Sequence, residues 1–390
     1  MFRKVVQKTL ARYAITSLVI LSLLLCLGFG NGYLSFSDIT GTPNGTKFLR
    51  DDLSWQVTTG TSAGAPVWVA ASNATSYEDT FAVASGGTVC DGTNDERDIV
   101  DACTTAGTTG VVILSSGTFN IDAALSVLGN TIIGQGSGER SSGTTLAITG
   151  TDYGITLGNV NATSGKMADI RHCRITTPAS FADVALKMSY TRTVDGQDFL
   201  GDVAIQANNS AVFVNSPDQT AGSIGFQLIS AASLPFSMNH FGSLFVSGFE
   251  KGVHIKAAND SSSCYINGNI FDSIIVKHSS YLVTLESAGT VDIRASVSGN
   301  IFTAMQLQPK LQAGYYGVHA IQLITTPLSM SWNWFESVWI WDWDAGGTDY
   351  VIHCDDNTVD NYFIGLYPNT GDATGYKDGV NNYNTFTRRN

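Results

Sequence analysis

Charge is what this chain has least of. Asp, Glu, Lys and Arg make up 14% of its 390 residues, against about a quarter in an ordinary soluble domain. The little charge present leans acidic, 33 acids against 21 bases, for a net −12. That balance argues against nucleic acid or an anionic membrane surface as partner. A neutral or basic glycan tolerates such a surface; an acidic one needs a local basic patch or a bridging cation. Proline is scarce too, at 8 residues against 40 glycines, so turns must lean on Gly, Asn, Asp and Ser. The six cysteines include no Cys-x-x-Cys pair, which removes the usual zinc frameworks. No phosphate loop, nucleotide fingerprint or Ser-His-Asp arrangement is legible, and neither a cofactor nor a metal is implied. What is abundant is apolar: 43% of residues are hydrophobic, which excludes disorder as a description of the whole.

Arg3, Lys4, Lys8 and Arg12 precede an apolar run from Ala14 to Phe29. A basic flank before such a run has the pattern of a cleaved signal peptide or an uncleaved signal anchor, and a mis-assigned start is the third reading. The run is slightly short for a membrane span. The expected organisation is therefore 1–30 as signal or membrane attachment, 31–76 as a stalk or adaptor rich in Gly, Thr, Ser and Ala, and 77–390 as the folded body, placed outside a cell or on a virion.

From residue 77 the pattern becomes regular. Thr93-Asn94-Asp95-Glu96 fits a capping box, and Ile99, Val100 and Cys103 suggest one apolar face of a short helix. Cys90 and Cys103 flank it, either as a bridge or as buried thiols. Val111 to Leu114, Gly117 to Phe119 and Thr131 to Ile133 have the pattern of strands. Farther on, Asn-x-Phe recurs at Asn239/Phe241, Asn269/Phe271, Asn300/Phe302, Asn333/Phe335 and Asn361/Phe363, at intervals of 30, 31, 33 and 28 residues. A small residue follows two positions after each Phe. A second apolar strand lies between successive repeats. Two short strands per period of this length describe stacked coils of a solenoid, each burying its apolar side chains against the next.

Strand parity then assigns faces. The Phe column points inward, and the Asn column forms a stacked amide ladder at a turn. Outward columns hold Phe245, Ile275, Gln306, Trp339 and Tyr367 on one strand, and Thr156, Lys187, Gln227, His254, Thr284, His319 and His353 on the other.

Two segments carry a resemblance. Ile39 to Trp55, ending Leu49-Arg50-Asp51-Asp52-Leu53-Ser54-Trp55, is similar to a phrase that recurs in phage tail-fibre proteins. Asp91-Gly92-Thr93-Asn94-Asp95, the following helix, the strand with Gly117-Thr118-Phe119, and Ile132-Ile133-Gly134-Gln135-Gly136 resemble the opening of the pectate-lyase-like superfamily. That resemblance implies an all-β, right-handed, single-stranded parallel β-helix with an N-terminal capping α-helix. Similarity to phage tail spikes implies a homotrimer that attaches to host-surface polysaccharide. The Asn-Thr-Asp, Gly-His-Gly and Arg-Ile-Lys motifs of the polygalacturonase branch are missing, so the resemblance carries no catalytic residues over.

The residues supply their own candidates. Asp272 and Glu336 occupy the outward position after the repeat Phe, two coils and about 9.6 Å apart, near the separation of an inverting carboxylate pair. Trp339, Trp341 and Trp343 share outward parity, and with Asp342 and Asp344 they suit the apolar face and hydroxyls of a sugar. The same indoles equally suit a contact between subunits. Three functions stay open: a glycan-binding surface or virion protein, a polysaccharide hydrolase or lyase, and a structural filament protein without catalysis.

Overall fold

In the computed structural model the described residues are 47–49, 55–57 and 66–388, the last span apart from 138–142, 160–165, 192, 209–219, 231–234, 259–263, 289–295, 309–318, 326–329, 342–350, 370–375 and 378–382. The apolar run at 14–29 lies outside them, and none of the described helices is long and apolar enough to cross a membrane. The chain forms two units, Met1–Thr61 and Ser62–Asn390. In the first, Lys47–Leu49 pairs antiparallel with Trp55–Val57.

The second unit is a right-handed parallel β-helix. One coil shows the plan: Ile270–Lys277 lies in a thirteen-stranded sheet, Tyr281–Ser287 in a nine-stranded sheet and Ser296–Ser298 in a four-stranded sheet. The first two pair in parallel with their counterparts one coil on, and Ser296–Ser298 with its counterpart one coil earlier. Side-chain alternation drives the register. In Ile270–Lys277, Phe271, Ile274 and Val276 are buried, while Asp272 is exposed and Ile275 and Lys277 are half-exposed. A one-residue slip would turn that whole set inside out.

The Asn and Phe columns behave as their spacing predicts. Phe241, Phe271, Phe302, Phe335 and Phe363 are buried and stack ring on ring, with centroids 4.4–4.8 Å apart and planes within 8°. In the ladder, each Asn Oδ1 accepts both the backbone N–H and the side-chain amide of the Asn one coil earlier. For Asn269 onto Asn300 these distances are 3.2 and 2.9 Å. The remaining amide hydrogen satisfies a carbonyl of the preceding turn, as from Asn300 to Ile266. Gln197 donates its backbone N–H to the foot of the ladder, and Asn384 extends the top by one coil with Phe386 stacked on Phe363. Asn384-Thr385-Phe386 is a sixth copy of the repeat, only 23 residues after the fifth.

Two helices close the N-terminal end. Helix α1, Ser76–Ala84, was not expected, and it carries the capping box: the Thr75 hydroxyl accepts from the Glu78 N–H, and Glu78 accepts from the Thr75 N–H. The strand Val67–Ala70 beside it pairs within the β-helix, so the folded unit reaches into the segment assigned above to the stalk. Helix α2, Asp95–Ala106, is the expected cap, but its details need correction. Thr93 does not cap Glu96. Asn94 sits at the N-terminus with φ 52 and no side-chain cap, and the Thr93 hydroxyl donates to Asp91. Asp95 and Glu96 instead accept the N–H groups of Asn120 and Asp122, tying the helix to the end of a strand. The buried face is Ile99, Ala102 and Ala106, with Val100 turned outward. Cys90 and Cys103 are free thiols.

Candidate functional site

The outer face of the Asn corner is where the apolar side chains escape the core. Immediately before the ladder residues, Met238, Gly268, Gly299, Trp332 and Asp360 all adopt φ between 52° and 67°. A Cβ on Gly268 would also lie 2.9 Å from the sulfur of the exposed Met238, which would have to swing aside. Trp332 holds the same left-handed conformation with a bulky, 64% exposed side chain. Immediately after the ladder, His240, Ile270, Ile301, Trp334 and Tyr362 stack in register and point outward. Ile270, Ile301 and Trp334 are exposed, and the Trp334 ring lies 4.9 Å from Tyr362 at 27°. Across the corner runs a polar column in register, Asp195, Ser237, Asn267 and Ser298. The Asn267 side-chain oxygen in it is buried without a protein partner.

Acids line this strip. His240 Nε2 lies 2.9 Å from Asp272 and its Nδ1 3.5 Å from Asp198, so one imidazole bridges two carboxylates from neighbouring coils. Glu336 follows Trp334 by two residues on the same strand, and Asp360 precedes Tyr362 by two. Asp272 and Glu336 share one column with Thr303 between them, and the hydroxyl of Thr303 bonds the Asp272 carbonyl. The structure thus gives Asp272 a histidine rather than Glu336 as its close partner.

Beyond the bend at Ser337 (φ 52), Trp339 points outward and is 46% exposed, in register with Gln306 and Tyr367. The side chain of Trp341, and Asp342, Trp343 and Asp344 altogether, lie outside the described residues. Sequence reasoning passed over Trp332, Trp334, Tyr362 and His240. For Trp334, Tyr362 and His240 the signal was present, because parity alternate to the repeat Phe sends each residue after Asn outward; Trp332 precedes the Asn, at the left-handed corner.

The outward column of the nine-stranded sheet departs from expectation in two ways. His319 pairs with Tyr281, and Gln322 takes the place beside Thr284, so His319 does not belong to the column. The column is also buried at its centre: Gln227, His254 and Thr284 are within the fold. Gln227 Nε2 lies 3.1 Å from His254 Nδ1, His254 Nε2 lies 2.7 Å from Glu286, and Lys256 lies 2.6 Å from the same carboxylate. Burial lowers the His254 pKa despite Glu286. Burial acts to raise that of Glu286, yet the His254 and Lys256 hydrogen bonds and charges prevail and hold it at about 2. Both imidazole nitrogens are engaged, which suits a structural bridge rather than a base.

Near α2, single ligand atoms of Cys90, Asp95 and Asp98 lie within 4.8 Å of one another. Asp95 spends both oxygens on backbone amides of Gly92 and Asn120, and burial beside carboxylates raises the Cys90 pKa. Those amide contacts tie the cluster to the start of α2.

No protein-family model matches the chain, and no curated protein matches it. Among solved structures, the crystal structure of the Acinetobacter baumannii phage AM24 tailspike protein is similar over 90% of this chain, at 13% sequence identity and a TM-score of 0.24. This chain covers 59% of that one. The fold described above rests on strand register and not on that likeness.

Proposed function

We propose that the chain is a surface protein, extracellular or on a virion, that binds cell-surface glycans along the strip outside the Asn corner. The observation that carries this reading is Trp332. Of its four counterparts, Gly268 and Gly299 avoid the cost of about 1–2 kcal/mol that the left-handed backbone places on a side-chain-bearing residue, while Met238 and Asp360 bear it as Trp332 does. An exposed indole kept at such a position is held for something other than folding. Trp334 stacked on Tyr362 continues the aromatic surface, Ile301 and Ile270 extend it, and the facing Ser and Asn column supplies hydroxyl partners. Coils repeat at about 4.8 Å, so a linear glycan lying along the axis meets the same column again at each coil.

The test is binding of the full chain to a glycan array, followed by titration of the best ligand. Trp334→Ala should weaken that binding by about 1–3 kcal/mol, from the apolar area of one large ring. Assembly as a homotrimer belongs to the same proposal, and the variant should leave the mass by light scattering unchanged. An unaltered glycan affinity with a lost assembly would move the strip to a subunit interface.

A further inference from the structure

We infer that the glycan preferred by this strip carries free, protonated amines, as in a de-N-acetylated amino-sugar chain, rather than neutral or uronic-acid residues. The inference rests on the glycan reading above and concerns its substrate class. Its basis is the presence of aromatic side chains and carboxylates on one strip, the combination that recognises an ammonium group: a ring supplies its negative face and a carboxylate a charge-assisted hydrogen bond.

Two of the strip's aromatics have an acid two residues away in the chain. Glu336 stands two residues beyond Trp334, and Asp360 two residues before Tyr362, which puts each pair on one strand or its corner. Asp272 and Asp198 flank His240, three positions nearer the N-terminus than Trp334 in the same column, and lie 2.9 and 3.5 Å from its two ring nitrogens. Asp195 lies in the facing column, its carboxylate 3.3 Å from the Ser237 hydroxyl. Against these five acids, the columns of the strip contain no Lys or Arg among the described residues. Arg171, below them, is engaged by Asp169 and donates to the Asp198 carbonyl.

The lack of bases is local. Lys187, Lys251 and Lys256 sit on strands of the nine-stranded sheet, where Lys256 is paired with Glu286, and Lys277 reaches over Phe245 farther along the long sheet. A uronic-acid chain on the strip would meet carboxylates on several of its coils with no Lys or Arg among the strip's described residues to offset them. An N-acetylated chain would leave the acids desolvated without an ionic partner. An amine-bearing chain matches the carboxylates and the rings together.

The experiment titrates the full chain with a glucosamine oligomer, its fully N-acetylated counterpart and an oligogalacturonate of equal length, in low and in moderate salt. The glucosamine chain should bind more tightly than the acetylated chain by about three- to tenfold, with the advantage shrinking as salt rises, and the galacturonate most weakly. In a Glu336→Gln, Asp272→Asn variant, the ratio of the first two affinities should fall toward one. Equal affinities for the amine and acetylated chains, both lost in Trp334→Ala, would overturn the amine preference while leaving the glycan reading intact. Failure of all three chains together with a blank glycan array would remove both. A poly-lysine of matched charge that binds as tightly, and is indifferent to Trp334→Ala, would also overturn the inference by reducing it to bulk electrostatics.

Discussion

Single residues in this molecule act through columns, so the cost of changing one depends on what stacks above and below it. Phe302 lies between Phe271 and Phe335, with 4.8 Å to each ring, and Phe302→Ala should cost about 3–5 kcal/mol through the cavity it leaves. Chemical denaturation against the parent chain measures that. Trp332→Gly should behave in the opposite way. Relief of the left-handed strain outweighs the extra freedom of unfolded glycine, so stability should hold or rise by about 0.5–1 kcal/mol, while affinity for the glycan falls. A Trp332→Gly protein that loses stability instead would show that the indole packs rather than binds.

Buried titratable groups set a pH dependence at this same scale. Burial lowers the pKa of His254, so the folded chain favours the neutral ring. That contribution is full above the ordinary histidine value of about 6.5 and is lost as pH falls below it. Glu286, held at about 2, contributes stability above the usual glutamate range, lost as pH falls from there toward its folded value. Both signs point the same way: melting temperature should decline on acidification, beginning below about pH 6.5. His254→Gln should flatten the upper part of that decline and shrink, without removing, the part due to Glu286, since Lys256 still holds that carboxylate. A parent curve that stays level from neutrality to pH 4.5 would contradict the assignment.

At the scale of elements, what the sequence made legible follows from counting. Asn-x-Phe keeps its spacing within a coil because ladder and bend are fixed by backbone geometry, so five copies aligned correctly and their facing directions followed. The sixth, at Asn384, escaped because its coil is shorter. The slip at His319 has a related cause. Gly317-Val318-His319-Ala320 mimics Gly252-Val253-His254-Ile255, yet Ile321 and not Val318 pairs with Val283. An odd offset of three residues exchanges inside for outside. Helix α1 was hidden in a Ser, Thr and Ala-rich stretch of weak periodicity, although Thr75-x-x-Glu78 was there to be found. Glu78 also accepts from the N–H and hydroxyl of Ser116, 38 residues away. Thr75→Ala should therefore cost about 1 kcal/mol for the cap alone, and Glu78→Ala should cost more, since it also releases Ser116. Periodicity could not show that the Gln227, His254 and Thr284 column would be covered, because what lies over an outward face is not written in the strand that carries it.

For the whole molecule, the governing property is that each coil touches only its neighbours, so stability is close to a sum along one axis. The consequences of a cavity should then depend on where along the axis it is made. Phe386 stacks on Phe363 at 4.9 Å and is only half-buried, whereas Phe302 is fully enclosed. Phe386→Ala should loosen the last coil alone: amide exchange rises in Tyr362–Asn369 and Thr385–Arg388, while strands farther toward the N-terminus keep their protection. Phe302→Ala weakens an interior interface through which the Asn ladder also runs, so its effect should spread to coils on both sides and lower the main transition. Hydrogen exchange followed by mass spectrometry separates the two patterns. Equal, global loss of protection in both variants would mean that the coils unfold as one indivisible unit rather than as an array coupled between neighbours.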